Sequence, residues 1–157
     1  MSETTIREAV PGDVPGLVEC SVGLFAEDGG TRDATMNVDW PREFGAESMR
    51  SGIDDPERLV LAAVCDGRVV GHLTGRVAEP VAIRPVRVAT LASMYVRPEA
   101  RDGGVGSLLV AAFKEWARGK AADRLAVTAY ASNASAIRFY RRNGFEPFHL
   151  VLEAGLD

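Results

Sequence analysis

Arg101–Asp102–Gly103–Gly104–Val105–Gly106 is the stretch on which the fold of this chain turns. It lies between the strand-like run Val86–Val96, with its loop Arg97–Pro98–Glu99–Ala100, and a helical run that begins near Gly104. The first N–H groups of a helix have no partner inside it, and the peptide dipoles add partial positive charge there. Glycines keep side chains away from those amides, so a bulky anion can reach the backbone. Arg101 adds a full positive charge beside them. A phosphate or pyrophosphate suits such a loop; a glycine-rich turn that only caps a helix is the plainer alternative. Spacing excludes two familiar phosphate loops. A Walker loop needs Lys-Ser/Thr after its last glycine, and here Ser107–Leu108 follows Gly106. The dinucleotide fingerprint needs a third glycine where Leu109 stands.

Working outward, Leu108, Leu109, Ala112, Phe113, Trp116 and Ala117 make one apolar helical stripe, with Lys114, Glu115 and Arg118 facing out. Arg124–Ala131 reads as a buried strand. A strand, a crossover helix and a strand predict a parallel βαβ unit. Asn133–Asn143 reads as a second helix closed by Gly144, and Phe145–Glu153 as a last strand or hairpin. Upstream, Leu59–Cys65 and Arg68–Val77 flank Asp66–Gly67, a type I′ hairpin pair. Thr4–Val10 reads as an edge strand. Asp13 then caps a helix that carries Leu17, Cys20 and Leu24 on one side. Residues 28–58 are the least regular, with a short helix near Arg42–Ser51. Trp40 and Phe44 need burial there, which favours a substrate-facing loop over a linker. The element order β-α-(α)-β-β-β-α-β-α-β predicts one α/β domain over residues 1–157, a mixed sheet with helices on both faces.

Composition narrows the function. The 157 residues are 46% hydrophobic and 25% charged, as in a soluble globular domain. No apolar run is long enough to span a bilayer, and the first residues lack the marks of a signal peptide, so no membrane partner is expected. Cys20 and Cys65 form no CxxC, and with His72 and His149 they make no zinc cluster, so neither a disulfide framework nor a metal is expected. A reducing cytoplasm is the expected setting. The net charge of −4 hides an asymmetry: residues 27–58 hold nine acids against four bases, and residues 97–142 hold nine bases against four acids. The charges are either solvated surface or the marks of two ligands, a cation near the first segment and an anion near the second. The basic face lacks interleaved exposed aromatics, so no nucleic acid is expected.

Two blocks then carry a resemblance. Arg101-x-x-Gly104-x-Gly106, preceded by Val96–Arg97–Pro98, resembles the acyl-CoA signature of the GNAT superfamily of N-acetyltransferases. Asn133-x-x-Ala136-x-x-Phe139–Tyr140-x-x-x-Gly144–Phe145 resembles its second CoA motif. The resemblance implies a mostly antiparallel sheet of six or seven strands flanked by about four helices, with a V-shaped splay between strands 4 and 5. It implies acetyl-CoA as co-substrate and direct transfer to a primary amine, with a cationic small molecule as the expected acceptor. A protein or peptide amine, or a CoA-binding module without turnover, are the alternatives.

The pantetheine arm would lie along Met94, Tyr95 and Val96, where the N–H of Met94 or Val96 would polarise the thioester carbonyl. The amides of Arg101, Asp102, Gly103, Gly104, Val105, Gly106 and Ser107 would hold the pyrophosphate. Asp102 and Gly103 depart from the small and basic residues frequent in that loop. Asn133 would bond the pantetheine amides, cap its helix, or both. Tyr140 is either core packing or the acid that protonates the leaving thiolate. The general base is open. Pro80–Arg97 contains no Asp or Glu, only Thr90 and Ser93 as polar candidates. Glu79 on the preceding strand is the assigned base, beside Glu27, Asp28, His72 and a water relayed from Ser93. By analogy, Phe148–Leu152 would build a homodimer.

Overall fold

The computed structural model describes residues 2–157. Its five strands, β1 (Thr5–Glu8), β2 (Arg58–Cys65), β3 (Arg68–Ala78), β4 (Val88–Val96) and β5 (Arg124–Val127), lie side by side in chain order. Neighbours from β1 to β4 run antiparallel, and β4 and β5 run parallel. The helices are α1 (Val14–Leu24), α2 (Gly30–Arg32, a single turn), α3 (Trp40–Asp54), α4 (Val105–Gly119) and α5 (Ala134–Arg142). A π turn, Phe25–Gly29, joins α1 to α2.

The hairpin expectation holds. Asp66 and Gly67 both take positive φ, 51° and 76°, as a type I′ turn requires, and they join β2 to β3. The βαβ unit holds as well, with α4 crossing from β4 to the parallel β5. The two faces of the sheet carry different cores. On one, Leu109, Val110, Phe113 and Ala117 of α4 pack on Leu61, Leu73, Ala89 and Leu91. On the other, Leu17 and Cys20 of α1 and Met49 of α3 pack on Val60, Ala62 and Val69. Gly75 lets the Phe113 ring approach the sheet, because a Cβ there would lie 3.0 Å from Phe113 Cε1.

Several expectations need correction. The sheet has five strands rather than six or seven, because residues 145–157 form neither strand nor helix. Phe148, Leu150, Val151 and Leu152 have strand-like character but are 69–84% exposed. The free edge they could join is short, since β5 ends at Val127 and not Ala131. Asp13 does not cap α1 with its side chain. Its carboxylate instead accepts from Arg7 at 2.7 and 3.0 Å and from the Val10 N–H at 2.8 Å, clamping β1 to the helix start. These partners hold the Asp13 carboxyl below the usual carboxylate range. Finally, α3 is longer than Arg42–Ser51. Pro41 sits at its tolerated first turn, and Gly45 and Gly52 are buried contact points rather than breaks.

Candidate active site

The site is created by the parting of two strands. β4 and β5 pair from Val88↔Arg124 to Leu91↔Val127 and no further. The next residue, Ala92, is an extra one: Thr74 faces Ser93 and Gly75 faces Leu91, so Ala92 bulges from the ladder. Beyond it, residues 93–96 keep β3 as their only strand partner. An antiparallel neighbour satisfies only alternate residues, so backbone N–H and C=O groups of this half-strand face the gap. Met94, Tyr95 and Val96 line that edge. This is the splay expected between strands 4 and 5.

The glycine loop stands beside the gap. After the turn Pro98–Ala100, Asp102 and Gly104 take φ of 66° and 84°, and α4 begins at Val105 without a side-chain cap. Nothing lies within 4 Å of a Cβ built on Gly103 or Gly104, so the amides that head the helix are open. Asp102 and Ser107 are exposed, whereas Val105 is buried in the α4 core. Gly106 lets α5 pack closely, with Phe139 Cζ 3.2 Å from where a Cβ would be. The donor set is therefore open amides plus a guanidinium, which fits a pyrophosphate.

Arg101 is already engaged. Its Nε donates to the Val96 carbonyl at 2.9 Å, and its Nη2 donates to both Glu27 oxygens at 2.9 and 3.0 Å. The guanidinium lies 5.3 Å from the Tyr95 ring centre, and the Tyr95 hydroxyl donates to Glu27. Burial works to raise the Glu27 carboxyl, but the bonds from Tyr95 and Arg101 outweigh it and hold it below its ordinary value. Burial and the adjoining carboxylate push the Tyr95 phenol up to about 12.

Across the gap, Asn133 does two things. Its Oδ1 accepts from the Ala136 N–H at 3.1 Å, capping α5, and its Nδ2 donates to Asp28 at 3.1 Å. Asp28 pairs with Arg32 at 2.7 Å, and Arg32 reaches the Ser132 hydroxyl at 3.1 Å. Residues 25–32 thus form an acidic strap that spans the gap, tied to the glycine loop on one bank and to α5 on the other. Tyr140 stands on α5 between Phe139 and Phe145, whose ring centres are 5.3 and 5.8 Å away. Its hydroxyl has no hydrogen-bond partner among the described residues. Burial, then the charge of Asp28, pushes it up to about 12.

The structure therefore brings together Met94, Tyr95, Val96, the loop 101–107, Asn133 and Tyr140. Glu79 is not among them. It follows β3 at the end of the sheet far from the glycine loop, with its side chain 80% exposed and ion-paired to Arg87 at 2.6 Å. The expectation of Glu79 as base rested on its strand alone, and the strand's length carries it away. Thr90 lies in the paired half of β4. His72 is buried beneath the splay beside Ser93. Among the described residues, no three His, Cys, Asp or Glu side chains converge as metal ligands. Among the described residues, no helix is long and apolar enough to cross a membrane.

Two features escaped the sequence reading. The strap contacts join residues 74 and 105 positions apart, a separation that local spacing cannot show. The bulge did leave a signal. Ala89 and Leu91 are buried against α4, yet Met94 and Val96, not Ser93 and Tyr95, pack on that same core. The alternation slips by one residue at Ala92.

The comparisons with known proteins agree with this geometry. A model of the acetyltransferase (GNAT) family matches residues 31–145. Aminoglycoside N(6')-acetyltransferase type 1 of Klebsiella aerogenes is 32% identical over 107 residues, 64% of this chain. The match spans 66% of that protein's length, just under two thirds. Among solved structures, the aminoglycoside N-acetyltransferase AAC(6')-Iy in complex with CoA has a TM-score of 0.80 at 17% identity, covering 99% of this chain and 96% of that one. A mutant of the BH1408 protein from Bacillus halodurans reaches 0.88 at 17% identity, covering 97% and 99%. These structures share the fold, and the family match covers the loop, the splay and α5 together: the chain belongs to the GNAT acetyltransferase family.

Proposed function

We propose that this protein transfers an acetyl group from acetyl-CoA directly to a primary amine of a cationic small molecule. The observation that carries this reading is the half-strand 92–96, unpaired toward β5 and placed beside the open amides of the glycine loop. The pantetheine arm pairs with that edge as an added strand, and the pyrophosphate rests on the amides of 101–107 beside Arg101. The cofactor supplies an acyl carbon activated as a thioester. A backbone N–H of Met94 or Val96 polarises its carbonyl. The amine nitrogen attacks, the C–N bond forms, the C–S bond breaks, and the amine releases its proton to solvent.

Tyr140 is the acid for the departing sulfur. At about 12 its phenol stays protonated throughout the physiological range. Transfer to a thiolate of ordinary pKa near 8.5 is uphill, so the hydroxyl acts in concert with C–S cleavage rather than ahead of it. Direct transfer is supported by the thiols. Cys20 is fully buried and pushed up to about 11 by that burial, which leaves it no nucleophile. Two free thiols also suit a reducing cytoplasm.

The acceptor's charge is read from the acidic segment 27–58, and its shape from a pocket of about 280 Å³ lined by Phe25, Met36, Asn37 and Trp40. Phe25 and Trp40 stack at 5.9 Å, a flat apolar surface for a ring or alkyl stem. The relative from Klebsiella aerogenes, named for aminoglycoside acetylation, supports the same class. A second copy of the chain covers the exposed Phe148, Leu150, Val151 and Leu152. CoA-thiol release from acetyl-CoA, measured over aminoglycosides, polyamines, peptide amino termini and anionic amines, tests the assignment. Turnover should be highest with the cationic small molecules. Preference for anionic acceptors, or no release with any amine, would sink it.

A further inference from the structure

His72 is fully buried on β3, and its Nδ1 has no hydrogen-bond partner. A buried polar atom left unpaired is destabilising, and an apolar side chain at this position would avoid that cost. Its other nitrogen, Nε2, lies 3.1 Å from Ser93 Oγ, and Ser93 Oγ lies 2.6 Å from Thr74 Oγ1. The ring is sealed, whereas the residues Thr74 and Ser93 are half-buried. Ser93 is two residues past Leu91, the last residue of β4 that pairs with β5, and the Ala92 bulge puts it on the α1/α3 face.

The polarity of the chain follows from the orphan atom. An N–H is the costlier group to leave unpaired in a core, so the hydrogen sits on Nε2 and Nδ1 is bare. Nε2–H donates to Ser93 Oγ. Either hydroxyl of the Ser93–Thr74 pair can be the donor, and we assign the single Ser93 hydrogen to Thr74. One lone pair of Ser93 Oγ remains, at the place where the strands part. Residues 80–97 contain no carboxylate to compete for that place.

We propose that His72 is a positioning residue for the acceptor: it locks the Ser93 hydroxyl so that its free lone pair accepts an N–H of the neutral amine at the splay. The proposal rests on the acetyl-transfer reading above. The bond fixes the amine's rotation, aiming the nitrogen lone pair at the acyl carbon. No proton passes to the imidazole. The amine proton leaves to solvent as the C–N bond forms and the C–S bond breaks.

The test is a cycle of Ser93→Ala, His72→Leu and the double variant, with His72→Gln beside them, using acetyl-CoA and the best acceptor among sisomicin, neamine and spermidine. Ser93→Ala and His72→Leu should each lower kcat about tenfold, with KM for acetyl-CoA within about twofold. The double variant should be no slower than either single one, because both remove the same bond. The Gln amide, which can donate from near the Nε2 position, should restore the rate to within about threefold. Losses that multiply to about a hundredfold overturn the proposal, as does a Gln variant no faster than Leu at equal Tm. If His72→Leu does not fold, Ser93→Ala decides alone, and a wild-type rate overturns the idea. Wild-type protein that turns over none of the three amines sinks the parent reading as well. Turnover that is indifferent to Ser93 sinks only this one.

Discussion

The two halves of β4 differ in almost every respect. Residues 88–91 are paired on both edges, and Ala89 and Leu91 are 0% and 2% exposed against the α4 core. Residues 93–96 have one strand partner, and all four are only half-buried. The first half anchors the second. A backbone edge with unmet hydrogen bonds is held straight because the residues before it are locked in the middle of a sheet. Substitutions in the anchored half should therefore cost stability, and substitutions around the parted half should cost function.

The largest expected effect is on the anchored side. Phe113→Ala, which empties the space beside Gly75, should destabilise the fold by about 3–5 kcal/mol in denaturant titration. A next test asks whether the parted half has a stability cost of its own. Burial holds His72, opposite Tyr95, at about 4, below the ordinary 6.5. Between those values the unfolded chain binds a proton that the folded chain does not. Stability should thus fall by about 3 kcal/mol as pH drops from 6.5 to 4, and His72→Gln should flatten that slope.

On the functional side, Tyr140→Phe should lower kcat about a hundredfold with little change in acetyl-CoA affinity and a near-normal Tm. Arg101→Ala should raise KM for acetyl-CoA about tenfold and leave kcat nearly unchanged. The smallest effect belongs to the strap. Glu27→Gln should release Arg101 from its carboxylate and lower KM for acetyl-CoA about threefold. A large Tm loss from Tyr140→Phe, or a rate loss without unfolding from Phe113→Ala, would break the division between the halves.

Local chemistry explains what was legible in the sequence. Asp66–Gly67 announces its turn, α4 its stripe, and the glycines of 103–106 an open helix start. The misses share a cause: they depend on distance along an element or across the fold. Glu79 is only one residue past β3, yet an eleven-residue strand carries it away from the reaction. Gly45 and Gly52 resemble helix breakers until Val18 and Val60 are seen against them. Residues 148–152 alternate like a strand, but pattern alone cannot supply a partner edge. In the sequence Glu27 and Asp28 read as candidate bases, whereas in the fold they hold Arg101 and Asn133.

The extra residue at Ala92 works as a phase setting. Upstream of it, odd-numbered positions of β4 face α4; downstream, even-numbered ones do. If the strand ran through Ala92 in regular alternation, without the bulge, the two faces of everything that follows would be exchanged. Ser93 would leave His72 for the apolar side, and Met94 would take the hydroxyl's place beneath the amine. The tyrosine that meets Glu27 would turn inward, and the strap would lose one of its moorings. One residue left out of the ladder therefore decides which side chains this half-strand presents to each side of the sheet.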